Sequence, residues 1–203
     1  MNDEEPLDEY KRKRDFSVTP EPTGRVDAGN TEPIFVIHKH DSRNLHYDLR
    51  LESEGLLKSW AVPKGPSMDP KVRRLAVPTE DHPMAYADFE GIIPEGHYGA
   101  GTVIVWDSGT FHNTKDKDVS FAENLEEGHA TIQLKGSKLE GKFALIKTKR
   151  GGKRHQWLFF KINDEHSMTG SDITVERPNS SKTGRSLSEV AEQEAPADLG
   201  DFE

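Results

Sequence analysis

His38-Lys39-His40-Asp41-Ser42-Arg43-Asn44-Leu45-His46-Tyr47-Asp48-Leu49-Arg50-Leu51-Glu52 is the stretch on which the reading of this 203-residue chain turns. From Leu45 onward two sets of side chains alternate: Leu45, Tyr47, Leu49 and Leu51, all apolar or aromatic, and His46, Asp48, Arg50 and Glu52, all polar. Successive side chains of a β-strand point to opposite faces. The apolar set therefore packs on a core, and the polar set faces something wet or charged. Asp41-Ser42-Arg43-Asn44 carries turn chemistry. A strand over 34–40 can thus fold back beside the first, with His38 and His40 sharing a face.

Further runs of the same texture lie at 57–62, 75–77, 102–106, 130–134, 142–147 and 157–162. They are short, rich in β-branched and aromatic residues, and separated by Gly, Pro, Asn or Asp. No amphipathic pattern of helical length competes with them. About eight strands with short connections predict a mainly β fold, an antiparallel barrel or sandwich, over residues 33–170. Residues 1–32 hold Pro6, Pro20, Pro22, Gly24 and Gly29 with little apolar periodicity, so they read as an acidic disordered tail (1–10) and an arm (11–32). Residues 171–203 read as a disordered acidic tail, in which 187–194 can form a weak helix.

The charge is uneven. Five acids and no base lie in residues 1–10, and six acids and no base in 186–203. Without those eleven the net charge of −9 becomes +2 over residues 11–185, so the middle of the chain is free to meet a polyanion. The absence of cysteine excludes disulfides and thiolate chemistry. No apolar run approaches the ~20 residues of a membrane-spanning helix. The expectation is a soluble, cytoplasmic protein with no membrane partner.

Two imidazoles and a carboxylate on neighbouring strands, His40, His46 and Asp48, make a reasonable divalent-metal site with open positions for substrate or water. Arg50, further along the same face, is placed to hold a phosphate oxygen. The competing reading is a solvated strand face, which is what alternating polar residues most often form. Three potential ligands within nine residues, with Arg50 on the same side, favour a site. Glu80, His82 and Tyr86 fall in a loop that can present them to a ligand. Lys64 and Arg74 read by default as solvated. The glycine-rich stretch 91–101 matches no phosphate-loop pattern and reads as a turn between strands.

The run 35–52 resembles the signature of the 3′-phosphoesterase domain of bacterial and archaeal DNA ligase D. So do 57–66, 80–90 and 93–106, and in the arm Lys13-Arg14-Asp15-Phe16 and Thr19-Pro20-Glu21-Pro22. The resemblance runs from about residue 11 to 165. It implies a β-barrel with a concave active site that resects a terminal ribonucleoside and removes the resulting 3′-phosphate. It implies Mn²⁺, with Co²⁺ or Zn²⁺ as substitutes, on His40, His46 and Asp48. Arg50, His82 and Tyr86 are then the catalytic, phosphate-holding residues. Arg14, Asp15 and Glu21 match arm residues needed for the diesterase step, so the arm is expected to fold over the pocket. Lys64, Arg74 and Glu80 match supporting positions. His38 stands where the family has Gln, and on this face it can alter substrate contact or compete for metal.

The chain shows no Lys-x-Asp-Gly motif of a nucleotidyl-transferring ligase and has no room for a polymerase. The expectation is a stand-alone, nucleoid-associated monomer acting on DNA 3′ ends, with ligase or polymerase on a separate chain. His82 is expected to donate a hydrogen bond or proton, and Tyr86 to orient a phosphate oxygen. Two rivals remain: a non-haem iron oxygenase built on the same His-x-Asp pattern, and a DNA-end-binding module without turnover.

Overall fold

The computed structural model describes residues 5–116, 118–149 and 156–194. Within these, ten strands join one antiparallel sheet: β1 (Ile34–Asp41), β2 (Leu45–Ser53), β3 (Leu56–Val62), β4 (Arg74–Pro78), β5 (His82–Pro83), β6 (Gly91–Ile93), β7 (Gly101–Asn113), β8 (His129–Gly136), β9 (Glu140–Lys147) and β10 (Trp157–Lys161). Eight of them close a ring in the order β1-β2-β3-β4-β10-β9-β8-β7, with β7 pairing back onto β1. These eight strands correspond to the eight runs read from the sequence. The two-residue β5 and three-residue β6 are additions that pair β3 and β7.

Local chemistry explains the tight connections. β1 and β2 pair from Asp41↔Leu45 to Phe35↔Leu51 around the turn at 42–44. Glu54 and Gly55, between β2 and β3, both have positive φ (54° and 76°), as a two-residue hairpin turn of matching twist requires. Any side chain at Gly55 would collide with the arm, since its Cβ would lie 1.9 Å from the Asp27 carbonyl oxygen.

Each of the eight ring strands sends apolar side chains inward: Ile37, Leu49, Trp60, Ala76, Trp157, Leu145, Ile132 and Trp106 all join one buried cluster. The barrel interior is therefore a packed core. On β7 the partner register shifts between Ile37 and His38, and this bulge lets both Trp106 and Asp107 face inward. A second cluster lies on the opposite face of β1, β3 and β7, where Val36, Leu57, Val103 and Val105 meet Leu7, Tyr10, Tyr86, Phe89 and Ile93. The strands that carry the histidines are thus packed on both faces. Barrel core lies beneath them, and the arm, β5, β6 and the 3₁₀ helix Met84–Asp88 cover them.

Both ends of the chain are better anchored than their composition suggests. Residues 5–10, read as tail, include the start of helix α1 (Asp8–Arg12), with Leu7 and Tyr10 buried. Residues 171–194, also read as tail, carry helix α3 (Ile173–Glu176) and helix α4 (Leu187–Glu194). Ile173 enters the barrel core and Val190 is buried, while the Trp106 indole donates to the Arg177 carbonyl at 2.8 Å. Arg185 pairs with Glu90 and Glu194, offsetting part of the segment's acidity. Full burial of a residue such as Ile173 stabilises by ~1.5–3 kcal/mol, enough to dock a weakly hydrophobic segment. The remaining helix, α2 (Phe121–Glu126), is started by a capping box between Ser120 and Glu123. Residues 1–4 and 195–203 of the acidic tails lie outside the described residues.

Candidate active site

A cavity of about 300 Å³ opens on the outer face of β1–β3, lined by Arg14, His40, His46, Asp48, Arg50, Glu80, His82, Tyr86, Tyr98 and others. Pairing alone brings its centre together. His40 lies directly opposite His46, Asp48 opposite His38 and Ala61, and Arg50 opposite Val36 and Ser59. Direct antiparallel partners share a face, so the polar sets of the two strands form a single patch.

The two histidines are oriented by backbone carbonyls. His40 Nε2 lies 2.8 Å from the Gly99 oxygen, and His46 Nδ1 lies 2.8 Å from the Asn44 oxygen. A carbonyl only accepts, so each of these nitrogens carries the proton. The opposite nitrogens then present bare lone pairs. Those lone pairs face a carboxylate: His40 Nδ1 is 3.6 Å from Asp48 Oδ2, and His46 Nε2 is 3.5 Å from Asp48 Oδ1. All three ligand atoms lie within 4.8 Å of one another. Three electron-pair donors converging on one point repel unless a cation sits among them, and backbone-anchored imidazoles beside a carboxylate fit a divalent metal. Burial by itself raises the Asp48 carboxyl, but the Arg50 guanidinium beside it outweighs that and holds it well below the usual carboxylate range. The third donor is therefore ionised.

Arg50 is locked from three sides. Its Nε donates to His38 Nδ1 (3.2 Å), Nη1 to Ser59 Oγ (2.9 Å) and Nη2 to Asp48 Oδ2 (3.2 Å), with the guanidinium carbon 4.8 Å from the Tyr86 ring centre. A guanidinium has five N–H groups. Two are left for a ligand in the cavity it lines. Arg14, brought in by the arm, is held the same way: Nε to Glu21 Oε1 (2.9 Å), and Nη1 to both Glu80 Oε1 and the Tyr10 carbonyl (3.1 Å each). Its Nη2 reaches His82 Nε2 at 3.2 Å.

His82 Nδ1 lies 2.9 Å from the Glu80 carbonyl and so carries the proton, leaving Nε2 to accept from Arg14. Burial, and then Arg50 and Arg14, push the imidazole well below its ordinary value, so it is neutral near pH 7. In this state His82 Nε2 is an acceptor, and it becomes the donor expected from the sequence only after taking up a proton. Burial and the adjacent Glu21 push the Tyr86 phenol well above its usual range; its hydroxyl donates to Glu21 Oε1 at 2.9 Å.

Of the residues singled out from the sequence, His40, His46, Asp48, Arg50, Glu80, His82, Tyr86 and Arg14 line one cavity. Glu21 lies behind it, joining Arg14 to Tyr86. His38 does not reach the cavity. It is fully buried, accepts from Arg50 and leaves its own Nε2 without a partner. As it stands, His38 meets the Arg50 guanidinium rather than the cavity. Asp15 is exposed and turned back on Ser17. Lys64 is exposed in the turn after β3. Arg74 is opposite Phe159 on the inward side of β4, away from the cavity; Asp172, held below the usual carboxylate range first by its hydrogen bonds from Thr174, also feels the Arg74 charge. Tyr98 lines the cavity and Ser59, Tyr10 and Lys13 surround it; none of the four is assigned a role from the sequence, although Lys13, Ser59 and Tyr98 fall inside the stretches that carry the resemblance. The Gly99 and Asn44 carbonyls are backbone groups, which residue identity cannot reveal.

Fold and site together define a class: a closed antiparallel barrel whose outer face carries a three-donor site suited to a divalent cation, flanked by two guanidinium groups suited to an oxyanion. The chain belongs to the DNA ligase D 3′-phosphoesterase domain family, whose profile matches residues 38–147. It is 50% identical over 191 residues to the multifunctional non-homologous end joining protein LigD of Pseudomonas aeruginosa, covering 92% of this chain and 22% of that protein. The protein of the same name in Mycobacterium bovis is 45% identical over 163 residues, covering 78% and 20%. That of Mycolicibacterium smegmatis is 43% identical over 171 residues, covering 82% and 22%. The chain thus spans about a fifth of the length of these relatives. Among the described residues no helix is long and apolar enough to cross a membrane.

Proposed function

We propose that this chain is a divalent-metal-dependent phosphoesterase that heals DNA 3′ ends for end joining, removing a 3′-phosphate and a terminal ribonucleoside to leave a 3′-hydroxyl. The observation that carries the reading is the convergence of two bare imidazole nitrogens and an ionised carboxylate beside a guanidinium with unused N–H groups. His40, His46 and Asp48 would hold Mn²⁺, and Co²⁺ or Zn²⁺ suit the same donors. A metal bound there supplies charge neutralisation at the phosphoryl group.

The protein's own groups do the rest. Arg50 and Arg14 grip phosphate oxygens from two sides, and their fixed partners remove the need to reorganise as charge builds. In the monoester step His82 Nε2, exchanging its Arg14 N–H partner for the attacking water, takes one proton from it as the water oxygen bonds to phosphorus. The same proton passes to the 3′-oxygen as the P–O bond breaks, giving a 3′-hydroxyl and a phosphate; in the preceding diester step it passes instead to the 5′-oxygen of the departing ribonucleoside, leaving a 3′-phosphate. To orient a non-bridging oxygen, the neutral Tyr86 hydroxyl turns its single proton from Glu21 to the phosphate. Glu21 and Glu80 fix Arg14, and His38 fixes Arg50.

The test is a 5′-labelled primer–template ending either in one ribonucleotide or in a 3′-phosphate, incubated with and without Mn²⁺ and resolved on a gel. Mn²⁺-dependent conversion to a 3′-hydroxyl supports the proposal. Binding without conversion of either substrate replaces it with a DNA-end-binding module.

A further inference from the structure

The glycine-rich stretch 91–101 takes no part in the chemistry proposed above, yet it builds one rim of the cavity. The Gly99 carbonyl holds His40, so the loop is fixed relative to the metal donors. At Gly101, with φ of 139°, an added Cβ would lie 2.1 Å from the Asp41 carbonyl oxygen, so the loop backbone presses directly on the β1–β2 turn. Tyr98, next to Gly99, lines the same cavity but remains 49% exposed. Its ring is held without being buried: Lys13 Nζ sits 4.7 Å from the ring centre and the Arg14 guanidinium carbon 5.7 Å, with Lys13 Nζ 3.5 Å from the phenolic oxygen. Lys13 is anchored in turn by Glu9 and Glu80.

A single exposed aromatic is ordinary on a protein surface. This one is clamped by cations at the mouth of a cavity whose floor is built for a phosphate. A phosphate held on that floor through its ester to a 3′-carbon carries its sugar and base outward, toward the rim. We infer that Tyr98 is a stacking platform for the outward face of the terminal nucleobase, so that the site selects nucleotide 3′ ends over phosphate esters lacking a base. Every base has a π-face, so such a platform tolerates any terminal sequence. The inference rests on the phosphoesterase reading.

The test crosses a substrate change with a protein change. Oligonucleotides ending in a normal or an abasic 3′-phosphate residue are given to wild type, Tyr98→Ala and Tyr98→Phe with Mn²⁺, and kcat/KM and Kd are measured for each. Loss of the base should cost wild type and Tyr98→Phe about 5- to 100-fold in both quantities. For Tyr98→Ala the two substrates should agree within about 2-fold. Equal handling of both substrates by wild type overturns the inference, as does an undiminished abasic penalty in Tyr98→Ala, or a Tyr98→Phe variant behaving like Tyr98→Ala. Thermal unfolding of each variant separates lost stacking from lost structure. If wild type hydrolyses neither oligonucleotide, the phosphoesterase reading fails, and the same comparison of Kd values still decides whether Tyr98 stacks on the base.

Discussion

Glu21 offers the sharpest test of how the arm is tied to the barrel, because it stands behind the cavity without lining it. It is 4% exposed, and its Oε1 accepts from both Arg14 Nε and the Tyr86 hydroxyl at 2.9 Å, while Oε2 accepts from Thr19 Oγ1 at 2.9 Å. Replacing it by Ala leaves three donors without their acceptor, one of them a guanidinium. Breaking a buried ion pair by removing one partner costs ~3–5 kcal/mol. Arg14 keeps Glu80 as a counter-charge at 3.1 Å, which places Glu21→Ala at the lower end, about 3 kcal/mol. Glu21→Gln can keep an oxygen toward Arg14 and Tyr86 and donate to Thr19, so it forfeits only the charge assistance, ~1 kcal/mol.

Urea unfolding measures both costs, and steady-state kinetics on a 3′-phosphate substrate reads the consequence for the site. Loss of a supporting partner typically costs 10- to 100-fold in activity; Glu21→Ala should lose ~10- to 100-fold in kcat/KM and Glu21→Gln less than ~10-fold. A Glu21→Ala variant with the wild-type urea midpoint would refute the stability reasoning. One that is destabilised but fully active would show that Arg14 and Tyr86 do not depend on Glu21 for their positions.

Three further outcomes are expected. His46→Ala removes one of the three donors, so Mn²⁺ binding by calorimetry and both esterase activities should vanish; wild-type rates in excess Mn²⁺ would reject the metal assignment. His38→Gln keeps an acceptor for Arg50 Nε and should stay within ~3-fold of wild type, whereas His38→Leu should lose ~10-fold in kcat/KM with unchanged Mn²⁺ affinity; altered affinity would put His38 back among the metal contacts. Folded His82 resists protonation because of burial, Arg50 and Arg14, while the unfolded chain takes up that proton below its ordinary value near pH 6.5. Stability should therefore fall with pH below ~6.5, by up to ~1.4 kcal/mol per unit from this residue, with no contribution above ~7.5. Urea midpoints of His82→Gln at pH 5, 6 and 7.5 should show a shallower dependence than wild type, and equal slopes would contradict the buried neutral state.

The ring strands were legible because each buries one face in the core, and period-two alternation records that burial directly. Leu45 to Glu52 shows it most clearly, and β7 least: Val103-Ile104-Val105-Trp106 is apolar on both faces, and the bulge at Trp106 breaks the period before Phe111. The cluster of His40, His46 and Asp48 was legible because its three members sit on one hairpin face. The anchoring of 171–194 was not. It depends on Trp106, Glu90 and Lys138, each more than forty residues away, meeting backbone or short polar groups. The arm showed the same difficulty: Arg14 and Glu21 acquire meaning only from Glu80, His82 and Tyr86 across the chain. Asp15 and Lys64, matched by resemblance alone, have no contact that ties them to the cavity as it stands.

The placement of the site on the outer face of a filled barrel has a mechanical consequence. Every functional residue of β2 alternates with a core residue: Tyr47, Leu49 and Leu51 are at most 4% exposed, and they interleave with His46, Asp48 and Arg50. Close-packed interiors resist even small shifts, so the core pins the spacing of the donors that the opposite face presents. The arm then works against a rigid surface, and two of its charged residues, Arg14 and Glu21, need only be oriented by their own partners. A site of this kind is preorganised by packing on one side and by hydrogen bonds on the other. Damage to either layer should reach the chemistry without touching a ligand, and that is why Glu21 and His38, neither of which lines the cavity, are the residues that discriminate best between this arrangement and a surface patch of polar side chains.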